Sequence, residues 1–512
     1  MTRKLLKFAG LFGLILAAVV TVTVVTSDKA QGEVPEYLGS QACLGCHTEK
    51  YVAWEESTHG QALTQLKGPA DYPADPKTAP AELQAELAKA DYIWHGYRFL
   101  AQDPVSGELV YLKVSFNTET KQYQPYTPRS ATPWSQNCGG CHSGAVNSGI
   151  YTTAVEPAIG CESCHGPSRD HVLGKGAPDK IVSSTLADET CAQCHSGYNT
   201  APNSTRWAKG YRPGMKLEDY TYFQFAQYDP AQAPRHMEED NHLEEYPQWK
   251  ASGHANATNL LINRGLTYLN RTECIYCHSA AAGNLIPKLT AKGEKWDAAT
   301  MLVNDGVTCV SCHDPHGSPN KANLKQEPQA LCISCHSIGR GKPGDIKIGT
   351  VRAPHSPQGD MFQGTGALDV KNTPSAHQGV TCVECHMTEG NHMMKVIKPS
   401  DAMATEGRVD SCTKCHTNST SESRDVFLNL MQESVSARLE KIAADVKLID
   451  AAIAANKEVL SADLNQLYLN ARANFWYVQK DGSEGAHNFD YAIKVLNKSQ
   501  TDMNTIKAAL PK

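Results

Sequence analysis

Residues 306–317 read GVTCVSCHDPHG. Cys309 and Cys312 stand three apart, so on one helical turn both thiols face the same side. A thiol pair at that spacing can add across the two vinyl groups of one haem. His313 follows directly and can turn its imidazole onto the iron from the same face. C-x-x-C-H is the attachment signature of covalent haem c.

The unit occurs nine times and consumes all 18 cysteines. In chain order, site 1 is Cys43, Cys46 and His47, and site 2 is Cys138, Cys141 and His142. Site 3 is Cys161, Cys164 and His165, and site 4 is Cys191, Cys194 and His195. Site 5 is Cys274, Cys277 and His278; site 6 is Cys309, Cys312 and His313; site 7 is Cys332, Cys335 and His336. Site 8 is Cys382, Cys385 and His386, and site 9 is Cys412, Cys415 and His416. A four-thiolate zinc needs two C-x-x-C pairs, and an odd number of pairs does not divide that way. Nor does zinc or a disulfide framework require His after every pair, in a chain where His is 20 of 512 residues. Nine covalent haem c groups are the expectation.

That cofactor load changes what the length implies. Roughly 54 residues per haem are too few to wrap a separate apolar domain round each. A mean hydropathy of −0.42 and only 10 Phe fit an interior filled partly by porphyrin. The formal charge is −6, and propionates take the holoprotein to about −15. Nothing in this composition points to nucleic acid; a redox partner with a cationic docking patch fits it better.

Arg3, Lys4 and Lys7 precede an uncharged run over residues 8–27. Twenty residues of helix just cover a hydrocarbon core of ~30 Å. The basic flank predicts export of everything that follows, to a periplasmic or similar compartment. Residues 1–35 then read as a signal peptide or as an inner-membrane anchor, with membrane contact through 8–27. Residues 36–200 form a four-haem module. Its cysteine-free part holds the helix-like PAELQAELAKADY and the strand-like GELVYLKVSF, a local βα elaboration or cover. Residues 201–420 form a five-haem module that echoes the first: WKASGH (249–254) repeats WEESTH (54–59), and sites 5, 6 and 7 answer sites 2, 3 and 4. Over residues 421–512, Leu428, Met431, Val435, Leu439, Ile442, Val446, Ile449 and Ile453 recur every three or four positions. That is one apolar stripe on a long helix, with further helices over 461–478 and from Asp490. The expected fold is mainly α with little sheet, a haem-filled core and a long C-terminal helical hairpin. Part of the stripe is a candidate homodimer seam.

Eleven His lie outside the motifs, two more than nine irons need as second axial ligands. His59, His171, His242, His254, His316, His355, His377, His392 and His487 are the candidates; His95 and His236 are the spares. His316 allows a sharper argument. Axial ligands on opposite faces of one haem need Cα atoms on the order of 12 Å apart. Three extended residues span at most ~10 Å. His316 therefore serves not the haem of His313 but a neighbour's, locking two haems together. His171, six after His165, and His392, six after His386, are weaker cases of the same kind. His59 and His254 recur at equivalent places in the repeat.

YLGSQACLGCHTEKYVAWEESTH and GCESCHGPSRDH resemble the tetrahaem cytochromes of the hydroxylamine-oxidation pathway. GVTCVSCHDPHG, GVTCVECHM and GSEGAHNFDYAIKVL are similar to the wider family of hydroxylamine oxidoreductases and multihaem nitrite reductases. The resemblance implies an axial role for His487, and it implies dimer contacts through the terminal helices. This chain lacks the C-x-x-C-K motif that marks the active haem of ammonia-forming nitrite reductases. The expectation is an exported cytochrome relaying electrons through nine mostly bis-His haems to redox partners, a quinol dehydrogenase or other cytochromes. The alternative is a reductase or oxidase of a small nitrogen or sulfur oxyanion (nitrite, hydroxylamine, tetrathionate) at one open haem, with no catalytic residue assigned.

Overall fold

The structure is a computed structural model that describes residues 36–128, 134, 138–144, 156–182, 188–196, 210–217, 245–303, 305–337, 355–405 and 407–511. The apolar run over 8–27 lies outside the described residues. Among the described residues, no helix is long and apolar enough to cross a membrane.

The fold is mainly α. Among the described residues the one sizeable sheet is the elaboration expected after site 1, a five-stranded antiparallel meander. The strands are β1 (Leu63–Gln65), β2 (Tyr92–Trp94), β3 (Arg98–Gln102), β4 (Leu109–Asn117) and β5 (Gln122–Pro125). Alternation turns Leu112, Val114 and Phe116 of β4 inward, where they pack with Ile93, Phe99 and Tyr123. Helix α1 (Ala81–Leu87) covers that face with Leu83 and Leu87. Beyond the sheet, the chain breaks into short helices that carry the motifs, such as Cys161–His165, Thr272–His278 and Cys382–His386. The buried apolar clusters of this central part are small, and the largest core lies at the C-terminus.

There, α2 (Ser421–Ala455), α3 (Ala462–Asp481) and α4 (Phe489–Ala508) pack together. The helices expected over 461–478 and from Asp490 are α3 and α4. Of the α2 stripe, Val435, Ile442, Val446 and Ile449 are buried against Tyr468, Phe475, Tyr491, Val495 and Leu496. Leu439 and Ile453 pack at its margin. Gly482 ends α3 in the left-handed conformation that terminates a helix at low cost. The first turns of α2 leave Val426, Phe427 and Leu430 exposed.

Asp410 ties site 9 to the start of α2. Its carboxylate accepts from Arg424 Nη2 at 2.7 Å, from Ser421 Oγ at 2.8 Å and from the Cys412 N–H at 2.9 Å. Burial raises its pKa, but these donors outweigh burial and hold it at about 2. A depressed carboxylate contributes stability above its unfolded value of 3.8 that is lost as pH falls through the folded one. Thermal melts from pH 5 to pH 2 are expected to show on the order of 2 kcal/mol lost from this contact. In Asp410→Asn that acid-dependent component disappears and the melting temperature at neutral pH is lower.

Candidate haem-binding sites

The internal repeat is structural. Trp54 Nε1 donates to the Ile159 carbonyl at 2.8 Å, and Trp249 Nε1 donates to the Val307 carbonyl at 2.7 Å. Ile159 and Val307 each stand two residues before the first Cys of sites 3 and 6. Their N–H groups donate back to the carbonyls of His59 (3.1 Å) and His254 (2.9 Å). Each Trp-to-His segment therefore clamps the approach to one motif.

The imidazoles come in pairs. Ring centres lie 6.4 Å apart for His47 and His171, 6.1 Å for His165 and His316, and 6.1 Å for His278 and His355. The separations are 6.3 Å for His313 and His392, 6.0 Å for His254 and His336, 6.3 Å for His377 and His416, and 6.1 Å for His386 and His487. An iron with nitrogen ligands at about 2.0–2.1 Å, the ring centres ~1.1 Å further back, needs ~6.3 Å. Direct stacking would bring the rings closer. The residues fit the group: seven sites present two imidazoles at the spacing a six-coordinate iron takes.

At site 4, the charge of His195 bears on half-buried His59, ahead of those of His313 and His316. That matches the equivalent pair of the repeat, His254 with His336. His242 and His236 lie outside the described residues. His95, read as a spare, comes to site 2: its ring centre is 4.8 Å from that of His142, too close to admit an iron.

The pairs show which motif each outlying His faces. His316, three residues after the site 6 motif, faces site 3, as the length argument requires. The same displacement occurs twice more: His171 follows site 3 and faces site 1, and His392 follows site 8 and faces site 6. Each loop thus holds its own motif His and lends a second His to a neighbour.

Nδ1 hydrogen bonds aim the rings. His165 Nδ1 faces the Val182 carbonyl (2.9 Å), His278 that of Ala257 (2.9 Å), His313 that of Ala322 (2.7 Å) and His386 that of Met394 (3.2 Å). Ala322 and Met394 adopt positive φ (56° and 51°), a costly conformation that turns each carbonyl onto the motif His a few residues earlier. With Nδ1 occupied, Nε2 is the nitrogen left to hold a metal. Burial holds His254 at about 4, and burial also lowers His59, His313, His336, His355, His377, His386 and His392. These rings are neutral, as ligands must be. At His487 burial is outweighed by Asp481, whose carboxylate lies 2.6 Å from Nδ1. Glu245 does the same at His195.

The thiols trace a second pattern. Cys43 and Cys161 lie within hydrogen-bonding reach, as do Cys141 and Cys194, Cys191 and Cys309, Cys277 and Cys335, and Cys332 and Cys382. Cys164 feels the charge of Cys191, Cys312 that of Cys335, and Cys385 that of Cys415. Each thiol would mark the edge of a macrocycle, and the neighbouring motifs run 1–3–4–6–7–8–9. Site 2 is a spur on 4, and site 5 is the equivalent spur on 7.

Residues 301–340 match the doubled CXXCH motif family, 370–512 the cytochrome c552 family, and 106–166 with 239–314 the family of cytochrome c554 and c-prime. Cytochrome c-554 of Nitrosomonas europaea is 26% identical over 211 residues, 37% of this chain and 69% of that protein. The crystal structure of the outer cell wall cytochrome OcwA superposes with a TM-score of 0.74 at 27% identity, covering 92% of this chain and all of that one. Paired motifs, paired imidazoles and these relatives agree: the chain is a multihaem c-type cytochrome.

Proposed function

We propose that the protein is an exported electron conduit with nine haem c groups, in which the described His pairs are the axial ligands. The continuous line of neighbouring sites from 1 to 9 carries this reading. A catalytic haem needs close neighbours only on one side, whereas here every motif adjoins at least one other and most adjoin two. Cys46 at one end of the line and Cys415 at the other are among the few exposed cysteines, as electron exchange with partners at the two ends requires. Those partners are a quinol dehydrogenase or other cytochromes. The exposed Val426, Phe427 and Leu430 on α2 suit a homodimer contact. Likeness to a cell wall cytochrome supports export.

The test combines haem quantitation with low-temperature EPR. Nine haems per chain are expected, mostly low-spin. Imidazole planes are within 28° of parallel at sites 1, 3, 5 and 6, but cross at 66° at site 7 and 82° at site 9. Two classes of low-spin signal should therefore resolve, rhombic and highly anisotropic. A count clearly below nine, or a preponderance of high-spin iron, contradicts the reading.

A second reading, reduction of a small nitrogen or sulfur oxyanion, is favoured by one observation. At site 2 the imidazole beside His142 lies behind it instead of across an iron, and Arg98 is buried nearby. Cyanide binding to one ferric haem, with enzyme-like turnover of nitrite, hydroxylamine or tetrathionate, separates this reading from conduction.

A further inference from the structure

The tip of the β2–β3 hairpin is strained. Tyr97 N–H donates to the Trp94 carbonyl at 3.1 Å, closing a turn with His95 and Gly96 at its centre. Both have positive φ, 49° and 73°. That is the mirror-image hairpin turn for which Asn-Gly is the favoured pair. A β-carbon as bulky as that of His is disfavoured there, and such strain persists where the surroundings enforce it.

The surroundings do enforce it. Arg98, itself buried, lies 5.2 Å from the ring of Trp94, 5.2 Å from that of Tyr97 and 5.1 Å from that of Tyr126. Trp94 in turn packs 5.2 Å from His95 and 5.1 Å from His142. The sheet thus carries one imidazole on a rigid tip to the back of another. His95 Nε2 lies 3.2 Å from His142 Nδ1, with the ring planes at 88°. The motif His of sites 3, 5, 6 and 8 have a backbone carbonyl in that position.

We propose that His95 is a positioning residue for the axial imidazole of site 2. The inference rests on the reading that site 2 carries a haem. With iron on Nε2, His142 keeps its proton on Nδ1 and donates it. His95 therefore accepts through Nε2 and carries its own proton on Nδ1. An imidazole nitrogen is a stronger base than an amide carbonyl, so the bond makes His142 a more electron-rich ligand and fixes its rotation. Site 2, the spur on the line at site 4, is held at a lower potential than a carbonyl partner would give it.

The test uses two substitutions with opposite demands. Asn suits the turn but is too short to reach His142; Gln strains the turn as His does, but extends an acceptor oxygen to about the place of Nε2. In redox titrations of the full-length holoprotein, His95→Asn is expected to raise the potential of one haem while the melting temperature holds or rises. His95→Gln returns that haem toward its original potential at a lower melting temperature. Resonance Raman should show one weakened iron–histidine stretch in the Asn variant alone. The proposal is overturned if no haem shifts in either variant, or if several shift in step with lost stability. A Cys138→Ala/Cys141→Ala variant should lose one haem by mass; an unchanged haem count instead overturns the reading of site 2 as a haem site, whatever the His95 variants do.

Discussion

Replacing His316 with Ala is expected to open the haem of site 3 while leaving site 6, beside it in sequence, intact. His316 lies three residues after His313, so a local reading assigns any damage to site 6. Its ring instead faces that of His165 at 6.1 Å, the two planes nearly parallel at 15°. Asp314 Oδ1, 3.2 Å from His316 Nδ1, and the Asp314 N–H, donating to the Asn323 carbonyl at 2.7 Å, hold the loop in that direction. The variant should retain all its haems, because the thioethers are untouched. One low-spin EPR signal of the near-parallel class should give way to a high-spin one, and one additional equivalent of cyanide should bind per chain. His313 and His392, 6.3 Å apart, keep site 6 closed. Unchanged spin state in His316→Ala would show that another group ligates site 3.

The cofactor chemistry was legible because the motif is local: two thiols and an imidazole within five residues carry their meaning wherever the chain goes. That the ring of His316 turns away from its own motif was legible for the same reason, since chain reach bounds it. The assignment of His355 to site 5, of His377 to site 9 and of His254 to site 7 was not. Those pairs form when segments distant in sequence close on each other, and periodicity carries no signal for that closure. Only the repeat hinted at it, through the shared spacing of Trp54 with His59 and Trp249 with His254. The stripe on α2 was read correctly from Val435 to Ile449, where α3 and α4 cover it. At Val426, Phe427 and Leu430 the apolar positions continue without cover from the described residues. The place of His95 beside His142 was not legible, because a lone His carries no direction. The signal available was its place before Gly96, between the strand-like YIW and YRFLAQ, where a positive-φ turn usually takes Asn.

Among the described contacts, site 6 is where the two halves of the line meet. Cys191 of site 4 reaches Cys309, and Cys312 reaches toward Cys335 of site 7. Through these two contacts sites 1 to 4 join sites 7 to 9. A change of potential at this one position should therefore govern passage through the whole chain. His392→Met supplies that change with little loss of structure, because thioether and imidazole are both iron ligands and Met is flexible enough to span the gap. His/Met ligation raises the potential relative to bis-His. Site 6 then becomes a well in which electrons rest, and leaving it is uphill. Each ~59 mV of rise slows onward transfer about tenfold. Stopped-flow reduction at limiting reductant should show one haem, identifiable by the sulfur-to-iron charge-transfer band in the near infrared, filling first and draining last. Transfer from a reduced dye to a soluble acceptor cytochrome should fall by at least one order of magnitude at unchanged haem content. The same substitution at His355 places the well on the spur of site 5, off the through-line, and should slow passage far less. Equal slowing by His392→Met and His355→Met would show that electrons do not travel by the order the thiols trace.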